Sequence, residues 1–383
     1  MNIYYWSPYL SKVATAKAVF NSAESLKYFS RDKINVLLIN AAGEWDSEKK
    51  HLQEKNIPLI NLFKNPYYNK LPRHGFLKSR LSYLLLFLRS FYPLLSLLKR
   101  EKPNFLIIHL ITSLPLVLLF FFRFNTKFIL RISGLPKINF VRKFLWKSLS
   151  QKLYLVSCPT IATLENLERE KIFPKEKLIY LPDPIIDIKE YVNKFKDKNP
   201  IEKNFNNEKS LLAIGRLTRQ KNFGFLIKCF KEISLKNDSL NLFIIGEGEE
   251  KKTLLDIIKN LRLENKVFLL GYRKNVYNYL YNCKCFLLCS LWEDPGFVLV
   301  EAGISNATVI SSNCPNGPVE ILENGKNGFL FESNSAKSFI NSFTQFLNSN
   351  TQSLKNKKIN LKNKIRMFTK FQHYKILKNY LIK

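Results

Sequence analysis

A chain of 383 residues with 46% hydrophobic residues is long enough for two domains of ordinary size, each with its own core. Its formal net charge is +31, yet no zinc-finger spacing, RNA-binding sheet motif or strong helix-turn-helix signal accompanies it, so nucleic acid is not an expected partner. Six cysteines without zinc spacing and only four histidines exclude a zinc centre; Cys283, Cys285 and Cys289 read as buried core thiols in a reducing compartment.

Met1 to Trp6 reads as a first strand rather than a signal peptide. Further short apolar runs follow at Val36–Ile39, Leu59–Asn61, Phe105–Leu110, Phe128–Arg131, Lys152–Ser157 and Leu178–Leu181. Helical patterns lie between most of them, notably Val13–Tyr28 and Leu77–Leu98, which argues for parallel strands with helical crossovers. Between Asn61 and Lys152 stand seventeen Lys or Arg and a single acid, Glu101, interleaved with Leu, Phe and Tyr. That mixture favours an anionic membrane surface. Phe105 to Phe122 is 18 residues free of acid or base other than His109, long enough to imitate a membrane span. Pro115 interrupts it after Thr112-Ser113, so it reads as strand, turn and buried helix, with His109 a satisfied histidine at a strand end.

From Ile188 the pattern turns polar and reads as a linker to about residue 209. Strands then resume at Ser210–Ile214, Leu240–Ile245, Val267–Leu270, Cys285–Cys289 and Thr308–Ser311, with a short one at Gly328–Phe331. Helices are expected at Phe223–Ser234, Glu250–Asn260 and Phe297–Ser305. The expected fold class is α/β, with two doubly wound domains and a ligand where strand C-termini meet.

The most informative stretch is Leu291-Trp292-Glu293-Asp294-Pro295-Gly296-Phe297, which leads to Glu301. One carboxylate falls on a loop after a buried strand, the other about one turn into the next helix. Free backbone N–H groups of the helix start lie between them, where the helix dipole favours an anion. Such an arrangement suits a sugar joined to a diphosphate. Gly215-Arg216-Leu217-Thr218-Arg219-Gln220-Lys221-Asn222 follows the first strand of the second half, and its cations would neutralise a leaving diphosphate. Gly246-Glu247-Gly248 lacks the third glycine of a dinucleotide fingerprint and reads as a helix-entry turn. Asn313 to Leu322 is a loop whose turn residues suit close approach of backbone to a ligand. No two aspartates form Asp-x-Asp, so the expected stabilisation of the leaving group uses cations and no metal. No Ser-His-Asp triad, P-loop or Gly-x-Ser-x-Gly elbow is present.

Together Gly215-Arg216-Leu217, Lys221-Asn222, the Glu293-x₇-Glu301 pair, Gly317-Pro318-Val319-Glu320-Ile321-Leu322 and Asn327-Gly328-Phe329-Leu330 resemble the second domain of family-4 retaining glycosyltransferases with the GT-B fold, of the surface-polysaccharide and lipopolysaccharide type. The resemblance implies two Rossmann-like domains facing across a cleft. Their bounds would be 1–187 on the acceptor side, a linker at 188–209, a nucleotide-sugar domain at 210–365, and a C-terminal helix at 366–383 crossing back to the first domain. It implies that Arg216 and Lys221 bind the donor diphosphate, Glu301 the ribose, and Glu293, as the catalytic residue, the donor sugar. The amides of Gly296, Phe297 and Val298 would hold sugar and phosphate, and Tyr272 and Arg273 would lie near the base. Many members have a Gly-Gly loop after the first strand and a His at the end of a middle strand; here those places hold Trp6 to Ala14 and Arg131-Ile132-Ser133-Gly134. Ser11, Arg131 and Glu320 remain as acceptor or phosphate candidates.

The expected activity is retaining, metal-independent transfer of a hexose or N-acetylhexosamine from a UDP-sugar to a lipid-linked glycan. The protein would be cytoplasmic and peripheral at the inner face of the plasma membrane. Rival readings are a GT-B enzyme with a soluble acceptor, a nucleotide-sugar epimerase, and a non-enzymatic binder of sugar nucleotides or anionic polymers.

Overall fold

Two all-parallel sheets realise the alternation of apolar runs and helical patterns, in a computed structural model that describes residues 1–10, 14–31, 33–72, 76–196 and 201–382. The chain divides into one unit of Met1–Ile185 with Lys370–Lys383, and another of Ile186–Thr369.

In the first unit the strands are β1 (Asn2–Trp6), β2 (Asn35–Asn40), β3 (Leu59–Asn61), β4 (Phe105–Ile108), β5 (Lys127–Arg131), β6 (Leu155–Cys158) and β7 (Leu178–Tyr180). They lie in the order β3-β2-β1-β4-β5-β6-β7, with Ile3 opposite both Val36 and Phe105. Buried parallel strands cover both faces, so their sequences are continuous apolar runs. Tyr4, Trp6, Leu106, Ile108, Phe128 and Leu130 share one core with the helices Phe76–Glu101, Ser113–Phe121 and Phe140–Leu149. Ile3, Tyr5, Val36, Leu38, Phe105 and Ile107 share the opposite core with the helices Ala14–Phe29 and Lys370–Leu381. The segment 105–122 is thus strand, turn and a helix that buries Leu114, Leu116, Leu118 and Leu119. Pro115 sits in that helix's first turn, where its missing N–H costs nothing.

In the second unit β8 (Ser210–Ile214), β9 (Asn241–Ile245), β10 (Val267–Gly271), β11 (Cys285–Leu288), β12 (Val309–Ser312) and β13 (Phe329–Phe331) lie in the order β10-β9-β8-β11-β12-β13. Leu211 stands opposite Leu242 and Cys285, and Phe286 opposite Val309. Side chains cap helix starts where the sequence supplies them: Ser335 accepts from the N–H of Ser338 and Asn350 from that of Ser353. All six cysteines are free and buried, the expected core thiols.

The expected linker at 188–209 is corrected: Ile188–Lys196 is a helix of the second unit. Asp187 caps it by accepting from Lys189 N and Glu190 N. Tyr191 and Phe195, one turn apart, meet the rings of Tyr277 and Tyr281 at 5.1 and 5.0 Å. The Lys- and Asn-rich background hid that aromatic pair. Residues 197–200 of the expected linker lie outside the described residues.

Candidate active site

In the second sheet the sequence order reverses between β8 and β11, the place where an open parallel sheet leaves a crevice beyond its strand C-termini. The loops leaving these two strands bring together the residues singled out in the sequence. From the β8 loop Lys221 donates its Nζ to Oε1 of Glu293, on the β11 loop, at 2.5 Å. Glu293 is 4% exposed, and Ser290, at the end of the same strand run, donates a second hydrogen bond to the same oxygen. Hydrogen bonds hold the loops together: between the β8 and β11 loops Leu291 N donates to Gln220 O and Gln220 Nε2 to Trp292 O, and Glu293 N donates to Pro315 O in the loop after β12. Asn316 Nδ2 donates to Asp294 Oδ1 at 2.7 Å, which ties in the loop after β12. Nearby, burial first and then the charges of Glu293 and Asp294 push the Cys314 thiol up to about 12.

Two glycines take their identity from this loop packing. A Cβ on Gly317 would stand 1.9 Å from Pro295 O, and its φ is +137°. A Cβ on Gly246 would stand 1.8 Å from Gly215 O, at φ +150°. The close approaches read from the sequence as suited to a ligand at 313–322 are therefore, at Gly317, an approach of loop to loop.

The helix Phe297–Ile304 starts from Gly296, whose φ is +93°, and no side chain caps it. The N–H groups of a helix's first turn have no intrahelical partner, and the N-cap here supplies none from a side chain. Glu301, half-buried on this helix, lies close enough to the Tyr277 phenol that burial and the Glu301 charge together raise that phenol's pKa. Arg216 is exposed one residue beyond Gly215, and among the described residues nothing engages its guanidinium. Glu320 is half-buried on the one-turn helix Pro318–Ile321.

Tyr272 is 74% exposed just after β10, while Arg273 is held by Glu202 at 2.9 Å and by Tyr279 OH at 3.3 Å. Its guanidinium is engaged within the unit. Ser11 lies outside the described residues.

In the first unit Arg131 is 3% exposed and paired through Nη2 with the buried carboxylate of Asp183. This corrects its reading as an acceptor or phosphate contact: the charge is spent inside the fold. Nothing in the sequence pattern matches it to an aspartate so far along the chain. His109 does stand at a strand end, fully buried, but neither ring nitrogen has a hydrogen-bond partner among the described residues. It is not the satisfied histidine expected. Burial, and then the Arg131 charge, hold its pKa well below the ordinary value. Sequence reasoning also missed the roles of Ser290 and Gln220, which fix the Glu293 loop; Gln220 stands uncharged among the cations of its motif, and Ser290 belongs to no polar motif.

Residues 194–366 match the family model described as Glycosyl transferases group 1. An uncharacterized glycosyltransferase of Methanocaldococcus jannaschii is 33% identical over 252 residues, covering 61% of this chain and 62% of the relative. A Campylobacter jejuni N-acetylgalactosamine-N,N'-diacetylbacillosaminyl-diphospho-undecaprenol 4-alpha-N-acetylgalactosaminyltransferase is 32% identical over 202 residues, covering 52% of each chain. These alignments span from about half to under two-thirds of the relatives' lengths. Among solved structures, Anabaena HepE in complex with UDP superposes with a TM-score of 0.74 at 16% identity, over 100% of this chain and 99% of that one. That likeness shows the same two-sheet fold, GT-B.

Proposed function

On the premise that residues 194–366 are a group 1 glycosyltransferase domain, we propose that the chain transfers a hexose or N-acetylhexosamine from a UDP-sugar to a lipid-linked glycan, with retention and without a metal. The observation that carries the reading is the Lys221–Glu293 pair at the point where the second sheet reverses its strand order. A buried charge pair is a poor stabiliser compared with apolar packing, so its place at a ligand crevice argues for chemistry.

In this reading the uncapped start of helix Phe297–Ile304 receives the diphosphate at the amides of Gly296, Phe297 and Val298. Arg216 and Lys221 supply positive charge to it, and Glu301 accepts from the ribose hydroxyls. A carboxylate has about four acceptor sites, and Lys221 and Ser290 occupy Oε1 of Glu293, so Oε2 remains for the hydroxyls of the donor sugar. Tyr272 lies beside the base. As the bond from the anomeric carbon to the phosphate oxygen breaks, negative charge grows on the diphosphate next to two cations already in place. The acceptor hydroxyl bonds to the anomeric carbon on the same face, and its proton passes to the departing phosphate oxygen. Glu320 remains a candidate for the acceptor or the phosphate.

The lipid-linked acceptor is supported by the Campylobacter relative, whose name specifies a diphospho-undecaprenol substrate, and by the basic, apolar stretch from Asn61 to Lys152. The reading places the protein peripherally at the inner face of the plasma membrane. Incubation with labelled UDP-sugars and an undecaprenyl-linked glycan extract tests it. Label should enter the organic phase, insensitive to EDTA, and Glu293→Gln should abolish the transfer. Label appearing only as free sugar, or equal transfer by the variant, would refute it.

A further inference from the structure

The helix Phe76–Glu101 is apolar on two sides, one buried and one exposed. Its sheet-facing side buries Ser82 and Ser90 completely, along with Leu86, Leu94, Leu97 and Leu98. The opposite side carries Leu77, Leu81, Leu84, Leu88 and Tyr92 at helical spacing, and Leu77 is 80%, Leu88 61% and Tyr92 75% exposed. One leucine face already serves the core, so a second leucine row facing water is not a requirement of folding. The same layer of the first unit continues the pattern. The helix Ser113–Phe121 packs against both neighbours and leaves Phe121 exposed, and the helix Phe140–Leu149 opens with Phe140, Val141 and Phe144 in solvent. Scattered exposed apolar residues are ordinary, but a stripe several turns long marks an interface.

The charge around the stripe identifies its occupant. Lys78, Arg80 and Arg89 lie on the first helix and Arg142 and Lys147 on the last, where Lys143 is paired with Glu170, and Glu101 is the sole acid from Asn61 to Lys152. A protein partner of that chemistry would have to be both apolar and acidic along one face, whereas an anionic bilayer presents both features everywhere. The helix is long and apolar enough to cross a membrane. Crossing, however, would strip Leu86, Leu94, Leu97 and Leu98 out of the core. We infer that the helix lies in the plane of an anionic bilayer, with Leu77, Leu81, Leu84, Leu88 and Tyr92 sunk among the acyl chains and Phe140, Val141 and Phe144 as a second anchor. This deepens the membrane-side acceptor proposed above and rests on it.

Flotation of the full chain with phosphatidylcholine vesicles, with and without phosphatidylglycerol, tests the inference. The wild type should float only with phosphatidylglycerol and be released by high salt. Leu81→Gln/Leu88→Gln should lower the partition coefficient at least about tenfold, since each loses most of the transfer free energy of a leucine. Lys78→Glu leaves every apolar side chain in place and should lower it at least about fivefold, the equivalent of one basic charge near the surface. A UDP-induced thermal shift in the same samples reports on the second unit. Flotation lost with the shift retained confirms the surface; a missing shift in the wild type counts against the donor site and leaves the flotation result standing. Failure of the wild type to float, unchanged flotation of both variants, or a wild-type dimer that Leu81→Gln/Leu88→Gln converts to monomer would each overturn the inference.

Discussion

Removing the amine of Lys221 leaves the Glu293 carboxylate, 5% exposed, without its cation. Breaking one partner of a buried pair costs about 3–5 kcal/mol; Lys221 retains 14% exposure, so about 3 kcal/mol is expected for Lys221→Met. At about 2–4 °C per kcal/mol for a unit of this size, the melting transition of the second unit should fall by about 6–12 °C. Glu293→Gln should lose a similar amount by stranding the lysine. The double variant removes both charges and should be no less stable than either single one, which makes the pair strongly non-additive. Turnover behaves differently: the double variant should remain as inactive as the worse single, because stability returns without the groups that act on the donor. Scanning fluorimetry and a transfer assay on the four proteins measure both quantities. Additive destabilisation, or a Lys221→Met variant as stable as the wild type, would refute the assignment of this pair as a buried, coupled one.

Arg216→Ala should leave stability within about 0.5 kcal/mol, because the residue is exposed, while weakening UDP binding about 10- to 150-fold, the range for a charged hydrogen bond. Calorimetric titration with UDP and a melting curve check the two halves. Gly317→Ala should cost about 2 kcal/mol or more, because its Cβ would stand 1.9 Å from Pro295 O at φ +137°, and should reduce turnover beyond the stability loss by displacing the Glu293 loop. His373 is buried in the first unit, where its Nδ1–H donates to Pro182 O and its Nε2 accepts from Ser22. Burial, and then the Arg131 charge, lower its pKa to about 3, so the unfolded chain takes up this proton first as pH falls. The stability it contributes is intact above pH 6.5 and should be lost at roughly 1 kcal/mol per pH unit toward pH 3. Denaturant midpoints against pH should show a shallower acid slope in His373→Gln.

The strands were legible because a parallel strand buried on both faces must be a continuous apolar run, as at Ser210–Ile214 and Phe105–Ile108. The meeting of Lys221 with Glu293 was legible for a related reason: both follow strands, and alternating elements send strand-end loops to one edge of the sheet. What was lost depended on partners distant in sequence. Arg131 looked available until Asp183 buried it, and His109 gave no sign that its ring would go unpartnered. The helix Ile188–Lys196 was missed because its packing residues, Tyr191 and Phe195, sit in a polar run. Gly317 carried a true signal of close approach, but the sequence could not say that the approaching group was a neighbouring loop. The exposed leucine row of Phe76–Glu101 was invisible for the same reason: hydropathy reports a leucine, never the side of the helix that meets the core.

The most direct test of the donor site is calorimetric titration of UDP into the wild type and into Glu301→Gln. One UDP should bind per chain, with a clear loss of affinity in Glu301→Gln if this carboxylate accepts from the ribose hydroxyls as proposed. No heat from UDP, or equal affinity in the two proteins, would contradict it.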